Sequence, residues 1–237
     1  IPMHEDGSFA PIPVTGSENI CGRAGIDAAD LLARQGYFAN LGSKSRLDGQ
    51  DFLWYLGCGP YSPLFGKSKM ATFERYFIKD KSTHAETKGY YYKYSNDEHV
   101  VDMILDNFEV EGKHRHIING HTPVKVLKGE TPIKANGKLL VIDGGFSRAY
   151  QPETGIAGYT LTFHSRGLEL VQHQPFLSAE DAIENGDDIK SSTQIVELSS
   201  QRMYVKDTDR GKVLLAKIDN LKRLLFAYRN GFIKEVK

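Results

Sequence analysis

The stretch His116-Ile-Ile-Asn-Gly-His-Thr-Pro-Val-Lys125, followed after a loop by Leu139-Leu-Val-Ile-Asp-Gly-Gly-Phe-Ser147, decides the fold class. Each half is a short apolar run that ends in a polar glycine turn, which predicts two strands. Their turns place His121 and Asp143 at the carboxyl ends of a sheet, where layered α/β folds bind ligands. A neutral imidazole there can ligate a metal ion, with Pro123 stiffening the loop behind it. The alternatives are a structural histidine in a turn and, for Asp143, the turn itself.

The remaining elements are predicted from apolar spacing and turn residues. The first predicted helix begins near Ser17 and has an apolar face, and the longest spans Asp207–Tyr228. The other predicted helices span Asp51–Tyr55, Glu98–Phe108 and Ser178–Glu184. The apolar positions of the first helix are Ala28, Ala29, Leu31, Leu32, Phe38 and Leu41. Further strands are predicted at Tyr159–Phe163, Leu168–Val171 and Thr193–Leu198, and Tyr90–Tyr94 is either a strand or a packed turn.

Helices and strands are therefore mixed, and the fold class is α/β or α+β. Two regions are predicted. Residues 1–115 form a connector and a mostly helical segment with substrate-side loops, and residues 116–237 form a strand-rich end with a C-terminal helix. The strands Ile117-Ile118 and Leu139–Ile142 are nearly all apolar, which predicts that both of their faces are covered.

Composition excludes several classes of function. The chain has 237 residues, with 30 Lys plus Arg against 30 Asp plus Glu. This balance argues against broad binding to nucleic acid or to an anionic membrane, although a local basic patch can still bind phosphate. Cys21 and Cys58 are predicted to be free thiols in a reducing compartment, which favours the cytoplasm.

Substrate phosphate groups require cations and backbone amides. Six basic residues are candidates, the first two of which lie in a glycine-rich loop: Lys67, Lys69, Arg75, Lys125, Lys134 and Arg148. The segment Ser62–Lys67 is the strongest because its glycine turn can bring amides and an ammonium group together. Gly66-Lys67-Ser68 is not a P-loop, since the upstream glycine is missing. For each single candidate the alternative is a solvated surface charge, and Arg75 could pair with Glu74.

Several longer motifs carry a family resemblance. Asn119-Gly120-His121-Thr122-Pro123 resembles the last Gly-His metal motif of the calcineurin-like metallophosphoesterases. Five further stretches, in this order, are similar to class III fructose-1,6-bisphosphatases of bacteria: Trp54–Pro60, Ser62–Lys67, Thr72–Phe77, Gly129–Lys138 and Thr154–Leu161. The resemblance extends over essentially the whole chain.

The resemblance implies a gluconeogenic phosphatase that removes the 1-phosphate of fructose 1,6-bisphosphate with two divalent ions, manganese being the expected metal. His121 would bind one ion. Asp143 would either fix the ring orientation of His121 or bind metal itself. The implied fold is an incomplete metallophosphoesterase β-sandwich with flanking helices.

The family's Asp-x-His, Gly-Asp-x-x-Asp and Gly-Asn-His-Glu motifs do not occur in this sequence. The expectation is therefore that the chain is the carboxy-terminal part of a longer phosphatase and is inactive alone. Two alternatives stay open. One is a non-catalytic interaction or homo-oligomerisation segment, with the helix at Asp207–Tyr228 as the interface. The other is a relative of the Ser/Thr protein phosphatases.

Overall fold

A computed structural model describes residues 1–14, 19–176, 178–186 and 190–233. The chain divides into two compact units. The first contains residues 1–122 and 131–141, and the second contains residues 123–130 and 142–237. The bounds of these units differ from those of the two predicted regions, residues 1–115 and 116–237. That division stays a prediction. Ser17, the predicted start of the first helix, lies outside the described residues.

The first unit carries most of the helices. They are α1 (Gly22–Phe38), α2 (Lys44–Cys58), α3 (Thr72–Phe77), α4 (Tyr91–Tyr94) and α5 (Glu98–Asn107), with 3₁₀ turns at Lys81–His84 and Ala135–Gly137. Its strands are β1 (Ile117–Asn119), β2 (Ile133–Lys134) and β3 (Leu139–Val141). β1 pairs with β3 in parallel, and β2 pairs with β3 in antiparallel. The two strands of the opening motif are thus confirmed as neighbours in one sheet.

The second unit contains a second sheet. Its elements are a 3₁₀ turn at Val126–Lys128, α6 (Gln151–Thr154), β4 (Gly158–His164), β5 (Gly167–His173), α7 (Ala179–Asn185), β6 (Ser191–Leu198), a 3₁₀ turn at Val205–Asp207 and α8 (Asp209–Arg229). The three strands form an antiparallel sheet in the order β4-β5-β6. The mixed α and β class is confirmed, whereas the metallophosphoesterase sandwich stays a prediction.

α1 and α2 pack through glycine rather than through a broad apolar face. A Cβ atom on Gly49 would lie 2.3 Å from the backbone nitrogen of Gly36, so the two backbones are in close contact. The apolar face predicted for α1 is partly wrong, because Leu31 is 57% and Phe38 72% exposed. Leu41, 87% exposed, lies beyond the end of α1.

The small core between these helices contains Ala29, Phe52 and Leu56, with Leu32 and Tyr55 packed against them. α2 is also longer than the helix predicted over Asp51–Tyr55.

Two strands, β1 and β3, are predicted to be covered on both faces, and the prediction holds for β3 alone. All three residues of β3 are buried, which fits its position between β1 and β2. In β1, Ile118 is 52% exposed, so one face of this edge strand is open within the chain.

Of the two alternatives for the tyrosine-rich segment, the packed turn is the one observed, and this turn is helical. Tyr91–Tyr94 forms the single helical turn α4, in which the amides of Lys93 and Tyr94 donate to the carbonyl of Tyr90. The Tyr94 hydroxyl donates to the backbone carbonyl of Glu5. This contact ties α4 to the first residues of the chain.

α5 is held to the segment before β3 by ion pairs. The Lys138 ammonium lies 2.6 Å from Asp102 and 2.8 Å from Glu98. Arg115 lies 3.0 Å from Asp102 and also pairs with Asp106. The hydrogen bond from Lys138, with the nearby charges of Lys138 and Arg115, lowers the pKa of Asp102, while burial acts in the opposite direction. The network joins the helix to the sheet that precedes the His121 turn.

α8 confirms the longest predicted helix, and the Thr208 hydroxyl caps it by accepting the amide of Gly211 at 3.0 Å. Several of its apolar residues are largely uncovered: Val213, Leu214, Leu221, Leu224 and Leu225 are between 44% and 64% exposed. Cys21 and Cys58 are free thiols, as predicted. Within the described parts of the chain, no helix combines the length and apolar character that crossing a membrane requires.

Candidate functional site

His121 lies in a strained turn directly after β1. Its φ angle is +70°, and the Thr122 amide donates to the Gly120 carbonyl at 2.9 Å across it. This is a γ-turn with positive φ, a conformation that is rare for a residue with a side chain. The residue is exposed, and no hydrogen bond joins its ring to any described residue. The turn therefore leaves the imidazole exposed on a strained backbone, and strain of this kind is common at functional sites.

The residue before this turn is fixed by a partly buried tyrosine. The Asn119 side-chain amide donates to the Tyr91 hydroxyl at 2.6 Å. Burial raises the pKa of Tyr91, and the hydrogen bond from Asn119 opposes that shift. Both residues line a cavity of about 300 Å³, together with His116 and the apolar side chains of α5. α4 therefore positions the end of β1, from which the Gly120-His121 turn starts.

Asp143 acts as a turn residue. One of its carboxylate oxygens accepts the Gly145 amide at 2.8 Å, and its carbonyl accepts the Val124 amide at 2.9 Å. These bonds favour the interpretation of Asp143 as a turn residue over its interpretation as a metal ligand. His121 and Asp143 belong to different compact units, and each role proposed for Asp143 toward the metal stays a prediction.

The residues present were tested against the two metal ions that the family resemblance implies. A site for such ions needs several His, Asp or Glu ligands around each ion. Among the described residues, no group of three or more His, Cys, Asp or Glu side chains is arranged to hold a metal. The described chain alone does not fit a complete metal site, and His121 can supply one ligand.

Three of the six predicted phosphate ligands lie in one region of the first unit. Lys67 pairs with Glu86 at 2.9 Å, and Arg75 approaches the same carboxylate at 3.3 Å. The Lys69 ammonium donates to the Thr83 carbonyl at 2.6 Å. Arg75 therefore pairs with Glu86 and not with its sequence neighbour Glu74.

Glu86 organises this region and is absent from the sequence-based candidates. Its second oxygen accepts the Ala71 amide at 2.8 Å, and this bond is the main cause of its lowered pKa, followed by the hydrogen bond from Lys67. A charged Glu86 compensates part of the positive charge of Lys67 and Arg75. No local pattern indicates it, because Glu86 lies 19 residues from Lys67 in the chain.

The other three candidates have weaker surroundings. Lys134 donates to the Ser95 hydroxyl at 3.4 Å, in the first unit. In the second unit, Lys125 lies 3.9 Å from Glu153, and Arg148 is exposed. Lys125 and Arg148 belong to a different compact unit from Lys67, and the phosphate roles of all three candidates stay predictions.

The first unit contains a cavity of about 590 Å³. Its walls come from residues 1–13, 61–68 and 87–91. Of the six predicted phosphate ligands, Lys67 alone lines this cavity, and it is joined there by Lys88, Tyr61, Tyr90 and Tyr91. The lining also includes Glu5 and several apolar residues from the start of the chain, and a concave surface of this size fits a small molecule.

Comparisons with known proteins identify the family of the chain. Residues 1–230 match the family described as Firmicute fructose-1,6-bisphosphatase, and the chain belongs to this family. It is 59% identical over 235 residues to the fructose-1,6-bisphosphatase class 3 of Bacteroides fragilis. The identity to the proteins of the same name is 57% in Phocaeicola vulgatus and 55% in Clostridium botulinum.

Each of these matches covers 99% of the chain but spans only 35% of the relative's length. No solved structure matches the chain. The resemblance to class III fructose-1,6-bisphosphatases is thus confirmed, whereas the resemblance to the calcineurin-like metallophosphoesterases stays a prediction.

Proposed function

We propose that this chain is the carboxy-terminal part of a fructose-1,6-bisphosphatase. The longer polypeptide would hydrolyse the 1-phosphate of fructose 1,6-bisphosphate and release fructose 6-phosphate and inorganic phosphate. The observation that carries the proposal is the family match over residues 1–230, together with 59% identity to a relative of that name. Because the chain spans 35% of that relative, the activity is proposed for the longer polypeptide.

His121 is proposed as a ligand of a divalent cation, with manganese as the expected ion. Two features support this role: the ring is exposed, and the turn that presents it is strained. The remaining ligands would come from outside the described residues, since these hold no group of three or more suitable side chains. On this account the 237-residue chain has no phosphatase activity of its own.

Other parts of the proposal follow from the sequence. The predicted cytoplasmic location is supported by the two free thiols, which suit a reducing compartment. The family match favours a sugar phosphatase over the alternative of a Ser/Thr protein phosphatase. The exposed leucines of α8 keep the oligomerisation alternative open as an additional property of the same protein.

The test is an assay of the longer polypeptide that contains this chain. Release of inorganic phosphate is measured from fructose 1,6-bisphosphate, from fructose 6-phosphate and from a phosphoserine peptide, with manganese and after chelation. The proposal expects hydrolysis of the bisphosphate alone, with fructose 6-phosphate as the product and loss of activity after chelation. Preferential hydrolysis of the phosphopeptide, or no hydrolysis of the bisphosphate, would contradict it.

A further inference from the structure

The cavity of about 590 Å³ has a rigid wall built from two chain segments. Backbone hydrogen bonds join the Ser68 amide to the Thr87 carbonyl at 2.8 Å and the Gly89 amide to the Gly66 carbonyl at 2.7 Å. The Ser68 hydroxyl also accepts the Thr87 amide at 3.0 Å. The side chains on this wall are therefore held by a fixed backbone, as a binding site requires.

Two lysines face each other across this wall. Lys67 and Lys88 are partners in an antiparallel bridge, so their side chains leave the backbone on the same face. Like charges directly opposite each other destabilise a strand pair. Of these two lysines, Lys67 pairs with Glu86, a carboxylate that it shares with Arg75, while the Lys88 ammonium lies 5.7 Å from the centre of the Tyr92 ring. An anion placed between the two ammonium groups would remove this repulsion.

The rest of the cavity suits the body of a sugar. Tyr61, Tyr90 and Tyr91 line it and offer both ring faces and hydroxyl groups. Tyr61 has a φ angle of +55°, a region that side-chain-bearing residues rarely occupy. Strain of this kind persists where the surroundings over-determine a conformation, and it concentrates at binding and active sites.

We propose that this cavity binds the sugar phosphate through the phosphate that is not cleaved. Lys88 and Lys67 hold that phosphate, and the tyrosines contact the sugar. The proposal rests on the function proposed above, and under that function the bound group is the 6-phosphate. Lys88 becomes a binding residue for the substrate and for the product, fructose 6-phosphate.

The experiment measures binding of fructose 6-phosphate to the longer polypeptide by calorimetry, with fructose and inorganic phosphate as comparison ligands. Lys88→Gln should weaken fructose 6-phosphate binding by about tenfold or more, as expected for a lost charge-assisted hydrogen bond. Lys88→Arg should retain most of it. The matched control is Lys206→Gln, which removes another lysine that lies 5.6 Å from a tyrosine ring but is outside this cavity.

The kinetic arm uses the same variants with fructose 1,6-bisphosphate. Lys88→Gln should raise KM with little change in kcat, because the interaction exists before and during the reaction. Equal affinity of wild type and Lys88→Gln for fructose 6-phosphate would overturn the site, even if the bisphosphate is hydrolysed. Loss of fructose 6-phosphate binding in Lys88→Gln, in a protein that does not hydrolyse the bisphosphate, would keep the site and overturn the proposed function instead.

Discussion

Asn119 and Val141 are partners at the last position of the parallel strand pair β1–β3. Both strands therefore end at the same edge of the sheet, and each is followed within two residues by a turn residue with a candidate role, His121 or Asp143. The hydrogen bond from the Asn119 side chain to the Tyr91 hydroxyl joins the end of β1 to α4. This arrangement is what the opening motif predicts, and it gives the His121 turn a rigid origin.

The 237-residue chain should release no phosphate from fructose 1,6-bisphosphate, with or without manganese. The reason is that its described residues provide no group of three or more metal ligands. A phosphate-release assay on the purified chain checks this, with the longer polypeptide as the positive control. Metal-dependent turnover by the chain would show that it holds a complete site.

Gly49→Ala should destabilise the first unit by about 1–3 kcal/mol, the usual cost of overpacking. The added Cβ would lie 2.3 Å from the Gly36 nitrogen and 2.6 Å from the Leu32 carbonyl oxygen, and neither backbone atom can move without shifting α1.

Gly57→Ala is the matched control in the same helix, because a Cβ there meets nothing within 4 Å. It should leave stability unchanged or raise it by up to about 1 kcal/mol through helix propensity. Denaturant unfolding of both variants makes the comparison. Similar stabilities for the two variants would mean that α1 and α2 are not in close backbone contact.

Asp102→Asn should lower the free energy of unfolding at neutral pH by about 1 kcal/mol, since partly exposed ion pairs contribute little more. Arg115 and Lys138 keep Asp106 and Glu98 as partners, so no cation is left alone. The pKa of Asp102 lies below its ordinary value of 3.8 in the folded chain. The stability that ionised Asp102 contributes is therefore complete above its ordinary pKa. This stability is lost as the pH falls through the lower pKa that Asp102 has in the folded chain.

The difference between wild type and Asp102→Asn should thus be constant near neutral pH and vanish in strong acid. Unfolding curves at a series of pH values measure it, with Asp219→Asn on the exposed surface of α8 as the control. A difference that grows as the pH falls would have the wrong sign for this network.

The isolated chain should bind a hydrophobic dye and associate with itself. Trp54, Phe73 and Phe77 are exposed in the first unit, as are the leucines of α8 in the second. Exposed apolar surface of this extent is typical of interaction sites or of aggregation. Dye fluorescence and light scattering test this together. A monodisperse monomer that binds no dye and unfolds cooperatively would contradict it.

Local patterns predict much of this fold. Every described strand except the two-residue β2, together with the β4–β5 hairpin and α8, follows from apolar runs, glycine turns and caps that lie within a few residues of each other. The cap at Thr208 and the cap at Ser178, which accepts the Asp181 amide at 3.0 Å, are visible in the sequence for the same reason.

The features that sequence reasoning misses depend on distant contacts. The packing of α1 relies on Gly36 against Gly49, and spacing rules count large apolar side chains only. Tyr91–Tyr94 has strand-forming residues but is a helical turn. Glu86 and Lys88 gain their roles from residues about 20 positions earlier in the chain, so that no local signal indicates the cavity.

The most direct test of the central claim is the effect of His121→Ala on the longer polypeptide. Turnover of fructose 1,6-bisphosphate at saturating manganese is measured together with the number of manganese ions bound. His99→Ala is the matched control, since His99 is exposed on α5, whereas His84 contacts the Ile78 carbonyl at 2.9 Å and is less suitable. If His121 is a metal ligand, its loss lowers turnover by roughly a hundredfold or more and reduces manganese binding, while His99→Ala resembles wild type. Near-normal turnover and manganese binding in His121→Ala would contradict the account.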